Sequence, residues 1–112
     1  MGAATIVDVG SGLGGFSLRL SKLFPEMTVV LQDRGPIVKQ AETVVWPKQH
    51  PSAIENKRVQ FMAHDFFTPN PVSDADVYYL RNVLLDWPED DAVTILSNLK
   101  AGMGRRSRVL IS

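Results

Sequence analysis

The chain has 112 residues, 45% of them apolar and 21% charged, which is the make-up of one ordinary globular domain and too little for two. Lysine and arginine number 12 and aspartate and glutamate 12, so no charge excess draws the chain to nucleic acid or to an anionic membrane. Cysteine is absent, which excludes disulfides and thiolate metal sites and agrees with a cytoplasmic location.

No apolar run approaches membrane-spanning length, and Asp8 with the glycines interrupts any secretory h-region. The basic cluster Arg105, Arg106 and Arg108 reads as a solvated turn.

Residues 4–9 predict a first strand. Their nearly continuous apolar run suits a parallel sheet covered on both faces. Gly10, Gly12, Gly14 and Gly15 follow. Leu13, Phe16, Leu20, Leu23 and Phe24 then recur at helical spacing, with Arg19 and Lys22 on the opposite face, until Pro25 stops the helix. Met27 to Leu31 predict a second strand, with Asp33 just past its end. Gly35-Pro36 opens a second helix whose apolar face is Ile37, Ala41, Val44 and Val45, and Trp46-Pro47 closes it.

Pro47 to Lys57 is polar and proline-broken and reads as a loop. Val59 to Ala63 predict a third strand and Asp76 to Leu80 a fourth, separated by Asp65-Phe66-Phe67 and the proline-broken Thr68–Pro71. Pro88 starts a third helix. Glu89, Asp90 and Asp91 lie in its first turn, where the helix dipole favours negative charge, and Ala92, Ile95, Leu96 and Leu99 form its buried face. Lys100 and Gly102 mark its end, and a fifth strand runs to Ile111.

This alternation predicts a doubly wound, mostly parallel α/β sheet of Rossmann-like type. Such sheets bind ligands beyond the carboxyl ends of their strands, where the strand order reverses. Gly10–Gly14, Asp33, Asp65 and the segment Arg81–Trp87 all fall just past strand ends, so they are expected on one rim.

The glycines fit two patterns. Gly10, Gly12 and Gly15 match the dinucleotide fingerprint, with Asp33 near the position of its ribose-binding acid; Gly10, Gly12 and Gly14 equally match G-x-G-x-G. Asp8 weighs between them. A carboxylate two residues before the turn repels a pyrophosphate and attracts an ammonium group. S-adenosylmethionine carries an α-ammonium and a sulfonium and no phosphate, so Asp8 favours it over NAD. Asp8 can also cap N–H groups of the next turn, and the two roles are compatible.

Val7-Asp8-Val9-Gly10-Ser11-Gly12-Leu13-Gly14 resembles the first motif of S-adenosylmethionine-dependent O-methyltransferases of the plant and fungal type, which act on phenolic and polyketide hydroxyls. Val30–Asp33 with Ile37-Val38 resembles that group's second motif. Ala63-His64-Asp65-Phe66-Phe67 resembles its Gly-Asp-Met-Phe motif, with His64 for glycine and Phe66 for methionine. Tyr78-Tyr79-Leu80-Arg81-Asn82-Val83-Leu84-Leu85-Asp86-Trp87 resembles the segment around its catalytic histidine.

The resemblance spans the whole chain. It implies the class I methyltransferase fold, with Gly10 against the amino-acid end of the cofactor and Asp33 accepting from the ribose hydroxyls. It further implies Asp65 on the adenine amino group, Phe66 over the ring and Arg81 beside the cofactor. It also implies a helical dimerisation domain before this segment, and a helix and strand pair after the fifth strand. Residues 1–112 are thus expected to be a partial cofactor-binding domain of a homodimer acting on a small-molecule acceptor.

One position departs from the family. The histidine that takes the acceptor's proton corresponds to Leu85, followed by Asp86-Trp87. Leucine accepts no proton, and general base catalysis is typically worth about 10²–10⁴-fold. His50 and His64 read as turn or surface residues rather than substitutes. An acidic acceptor held by proximity, a base from elsewhere or from Asp86, and a non-catalytic cofactor-binding or interaction module stay open as accounts.

Overall fold

The computed structural model describes residues 4–81 and 83–112; Asn82, within the fourth motif, lies outside them. Five parallel strands form one sheet: β1 (Thr5–Val9), β2 (Thr28–Asp33), β3 (Val59–Ala63), β4 (Val77–Leu80) and β5 (Arg108–Ile111), in the order β3-β2-β1-β4-β5. The order reverses at β1, which pairs with β2 through Val7↔Val30 and with β4 through Val7↔Tyr78. The ligand-binding end of a doubly wound sheet therefore lies where Gly10 follows β1.

Side chains alternate across the sheet, and each face has its own core. Ile6, Val29, Leu31 and Tyr79 pack on one face with Trp46; Val7, Val9, Val30, Tyr78 and Leu80 pack on the other with Ile95 and Leu99. Asp8 shares the Ile6 face by this alternation. It therefore lies under α1 (Gly15–Leu23) and is buried.

Helix α1 buries a different stripe from the one its hydrophobic spacing predicts. Leu23 is 71% exposed and Leu13 and Phe24 are also exposed, whereas Ser17 and Ser21 are fully buried. Small side chains let the helix lie close over β1, and the Ser17 hydroxyl meets the Asp8 carboxylate there. Phe16, Leu18 and Leu20 flank that contact as partly buried neighbours.

The second helix does not end at Trp46-Pro47. Helix α2 (Gly35–Gln40) passes into a π-helical turn (Ala41–Val45) and then into α3 (Trp46–Gln49), with Pro47 in its first turn. Proline lacks an N–H, and the wider turn before it removes the need for that donor. A further short helix, α4 (Pro51–Glu55), occupies part of the expected loop, with Pro51 again in the first turn. Val44 is exposed, while Trp46 is fully buried.

The other boundaries fall close to expectation. Asp33 is the last residue of β2 rather than the residue beyond it, and Asp76 precedes β4, accepting from the Thr5 N–H at 2.7 Å. Helix α5 (Glu89–Lys100) buries Ile95 and Leu99. On β5, at the sheet edge, Leu110 and Ile111 are exposed. No helix among the described residues is long and apolar enough to cross a membrane.

Candidate functional site

The turn after β1 is held by the end of β2. The N–H groups of Gly10 and Ser11 both donate to the Gln32 carbonyl, at 2.8 and 2.9 Å. The Gln32 side chain is buried and forms a reciprocal amide pair with Asn70, at 3.0 and 2.8 Å, which ties the loop after β3 to the same strand. The Gly12 N–H donates to Asp33 Oδ2 at 2.8 Å, and the Arg34 N–H to Asp33 Oδ1 at 2.7 Å. Asp33 thus braces the glycine turn while retaining lone pairs for a further partner.

Two of the glycines serve different ends. Gly10 has φ +69°, and a Cβ there would stand 2.9 Å from Val83 Cγ2 and 3.6 Å from Phe66. The segment after β4 and the aromatic after β3 thus approach the turn only because it is bare. Gly14 has φ +84°, and its Cβ would stand 2.7 Å from Leu31 and 2.9 Å from Trp46 Nε1. It caps α1 and packs against the core, and it lines neither of the two cavities at the rim. The bareness of Gly14 also has a packing reason: a Cβ there would collide with Leu31 and with the indole beneath it.

Two cavities meet at Gly10 and Arg81. The larger, about 920 Å³, runs past Asp33, Asp65 and Phe66 to Asp86 and Trp87. The smaller, about 370 Å³, is lined by Asp8, Gly12, Phe16 and Arg19 besides the two shared residues. Of the eight expected cofactor residues, all but Gly14 border one cavity or both.

Asp8 is 4% exposed, and the Ser17 hydroxyl donates to its Oδ2 at 2.7 Å. Burial pushes its pKa from 3.8 up to about 6. The Ser17 bond opposes that rise, the Asp33 carboxylate adds to it, and the Arg81 guanidinium works against it. A buried carboxylate in this condition favours a cation nearby.

Arg81 lies over the Phe16 ring at 5.8 Å, and Phe16 in turn lies 4.6 Å from Tyr79. Asp65 sits in a tight turn, its Oδ1 accepting from the Phe67 N–H at 2.9 Å and its carbonyl from the Thr68 hydroxyl. This is ordinary turn chemistry that also places the carboxylate at the cavity. Phe66, Phe67 and Trp87 meet edge to face, with ring centroids 4.9 to 5.9 Å apart. His64 also lines the larger cavity; its ring is held below its usual pKa by burial, and its Nε2 has no hydrogen-bond partner among the described residues.

Leu85, in the 3₁₀ turn Leu84–Asp86, is 82% exposed and lines neither cavity, whereas Asp86 lines the larger one. Sequence reasoning missed Arg19, and it placed Trp87 on the rim only as the end of the segment Arg81–Trp87, with no role of its own. The one signal for Arg19 is its position four residues after Gly15 and three after Phe16, which puts it on the face of α1 that meets the turn. The contact of Trp87 with Phe67 was not legible, because it arises through the packing of two separate loops. No group of three metal-ligating side chains converges among the described residues.

The comparisons with known proteins agree with this geometry. An O-methyltransferase gedA from Aspergillus terreus is 55% identical over 108 residues, 96% of this chain and 22% of that protein. A structure of LepI in complex with SAM superposes with a TM-score of 0.82 at 35% identity, covering 96% of this chain and 26% of that one. An O-methyltransferase of neocarzinostatin biosynthesis, NcsB1, in complex with S-adenosyl-L-homocysteine and 1,4-dihydroxy-2-naphthoic acid, superposes with a TM-score of 0.83 at 28% identity, covering 97% and 31%. The chain therefore spans between about a fifth and a third of the length of these relatives. The family model for the O-methyltransferase domain matches residues 1–112, and the chain belongs to that family.

Proposed function

We propose that this chain is the cofactor-holding core of an enzyme that transfers a methyl group from S-adenosylmethionine to a hydroxyl of an aromatic or polyketide acceptor. The observation that carries the reading is Asp8: a buried carboxylate, raised to about 6, facing a small cavity beside the bare turn at Gly10. A phosphate-bearing ligand would meet repulsion there and an ammonium-bearing one attraction.

The residues present fit S-adenosylmethionine, which when bound supplies a methyl group on a sulfonium. Asp8 draws the ammonium end into the smaller cavity. Asp33 offers its remaining lone pairs to the ribose diol. Asp65 holds the adenine amino group, and Phe66 gives the ring a flat apolar wall. The protein's chief contribution is to hold donor and acceptor in line and keep water from the reacting atoms. Titration of the chain with S-adenosylhomocysteine, S-adenosylmethionine and NAD by calorimetry tests this. Binding of the first two without NAD is expected. NAD binding without affinity for either of the others would overturn the reading.

The proton acceptor in this reading is Asp86. It is adjacent to the position of the family histidine and lines the larger cavity, which Leu85 does not. Asp86→Asn is expected to lower methyl transfer to a phenolic acceptor by about 10²-fold while leaving S-adenosylhomocysteine affinity unchanged. Leu85→His, on an exposed side chain, is expected to add nothing. A large gain from Leu85→His would instead mean that the ancestral base has been lost, and absence of transfer by every variant would favour the non-catalytic module. The balanced charge gives no sign of a nucleic-acid or anionic-membrane partner, and a cytoplasmic location and a homodimeric full-length form are part of the proposed reading, on the resemblance described above.

A further inference from the structure

We propose that Arg19 is a ligand-binding residue, pairing with the carboxylate of the cofactor's amino-acid end and so making the chain prefer amino-acid-bearing nucleosides over bare ones. This rests on the cofactor reading above and adds a residue and a selectivity to it.

The smaller cavity brings together one carboxylate, Asp8, and two guanidinium groups, Arg19 and Arg81. Neither guanidinium lies within 4.0 Å of a carboxylate; the one such ion pair among the described residues joins Arg34 to Asp33. Arg81 is held over Phe16 and is shared with the larger cavity, whereas Arg19 borders the smaller one alone. With Asp8 ionised, the cavity presents one negative and two positive groups.

A zwitterion matches that set. Its ammonium goes to the buried Asp8, and its carboxylate then needs a cation on the same small cavity. Arginine's planar fork suits a carboxylate, and the side chain is exposed and free to turn toward it. Helix α1 supplies the placement. Gly15 and Phe16 line the cavity from its first turn, and Arg19 follows one turn later on that side. Arg19 stands opposite the buried Ser17 and Ser21 on α1, exposed, and borders the cavity from the side of Gly15 and Phe16.

The test compares two ligands that share adenosine and a thioether sulfur. S-adenosylhomocysteine carries the amino-acid end; 5′-methylthioadenosine does not. For Arg19→Ala, affinity for S-adenosylhomocysteine is expected to fall about tenfold, the scale of one charge-assisted hydrogen-bonded pair, with 5′-methylthioadenosine unchanged. Arg19→Lys, which keeps the charge and loses the fork, is expected to fall between. Arg19 is exposed on the helix, and the lysine variant guards against a loss of helix structure. Equal losses for both ligands, or no loss for either, would overturn the proposal while leaving the cofactor reading in place. Wild-type chain that binds no S-adenosylhomocysteine would overturn the cofactor reading and this proposal with it.

Discussion

Asp8→Asn is expected to make the chain more stable and at the same time to cost it about 10- to 100-fold in affinity for S-adenosylhomocysteine, the scale of a hydrogen-bonded charge removed. The two effects have one origin. Asp8 sits on the Ile6 face of β1 because of strand alternation, under the first turns of α1, with 4% of its surface exposed. Water cannot solvate its charge, so burial raises its pKa from 3.8 to about 6.

The sign of the pH dependence follows. The folded chain holds this proton more tightly than the unfolded chain, so protonation favours folding. The associated stability is complete below about pH 4, declines as pH rises through about 6, and is absent at pH 7. A shift of this size corresponds to about 3 kcal/mol, and asparagine recovers part of it at neutral pH. Its carbonyl still accepts from the Ser17 hydroxyl, so the shape of the site is kept.

In the proposed reading the same charge draws the ligand's ammonium, so the variant should hold the ligand less well, as expected where a site stores unfavourable electrostatics for use on binding. In the wild type, ligand affinity should fall as the solution is acidified through pH 6. Urea unfolding at pH 5 and pH 7, with calorimetric titration at both, checks each part. A variant that is less stable at pH 7, or that keeps full affinity, would contradict the role given to Asp8.

Trp46→Ala is expected to lower stability by about 3–5 kcal/mol, a large share of the roughly 5–15 kcal/mol typical of a whole domain. Trp46 is fully buried, its ring edge to face with Phe61 at 5.9 Å and stacked near His50 at 6.2 Å. Its Nε1–H donates to the Leu13 carbonyl at 3.2 Å. That bond reaches from the end of the second helical run to the turn after β1. The indole is therefore both core and buttress: it packs under Gly14, whose missing Cβ leaves room for it.

Loss of the ring leaves a cavity and frees the Leu13 carbonyl, so ligand affinity should fall together with stability. Trp46→Phe keeps most of the volume and loses the donor, which separates the two contributions. Denaturant unfolding of the three proteins measures the first, and titration of the folded fraction the second. A Trp46→Ala variant within 1 kcal/mol of the wild type would show that this packing is not what holds the turn.

The strands were legible because a parallel sheet covered on both faces demands short, nearly continuous apolar runs, and Val7, Val29 and Val30 sit in such runs. The rim was legible for a related reason. Polar and glycine residues past several strand ends of one doubly wound sheet must share a rim, so Gly10, Gly12, Asp33, Asp65 and Arg81 could be assigned to one rim before any geometry was known. The structure adds that Gly14 packs against the core, with Leu31 and the Trp46 indole across the turn from it.

Helices were less legible. Trp46-Pro47 carries a stop signal in local terms, yet a π-helical turn lets the chain continue, because burying the indole against Phe61 and under Gly14 outweighs a local preference to end. In α1, apolar spacing pointed to Leu13, Leu23 and Phe24 as buried, but the close approach to Asp8 selects the serine face.

Local chemistry alone, then, determines that this chain is a doubly wound sheet with a ligand turn after its first strand and an acid suited to an ammonium, because strand alternation, glycine turns and unpaired charges act over a few residues. Tertiary packing decides that Gly14 lies against the core while Gly10 borders both cavities, that Arg19 lines the smaller one, and that Leu85 lies outside the larger one with Asp86 at its wall. These depend on contacts between segments far apart in the chain, and a helix's rotation over a sheet is settled by the neighbours it meets there.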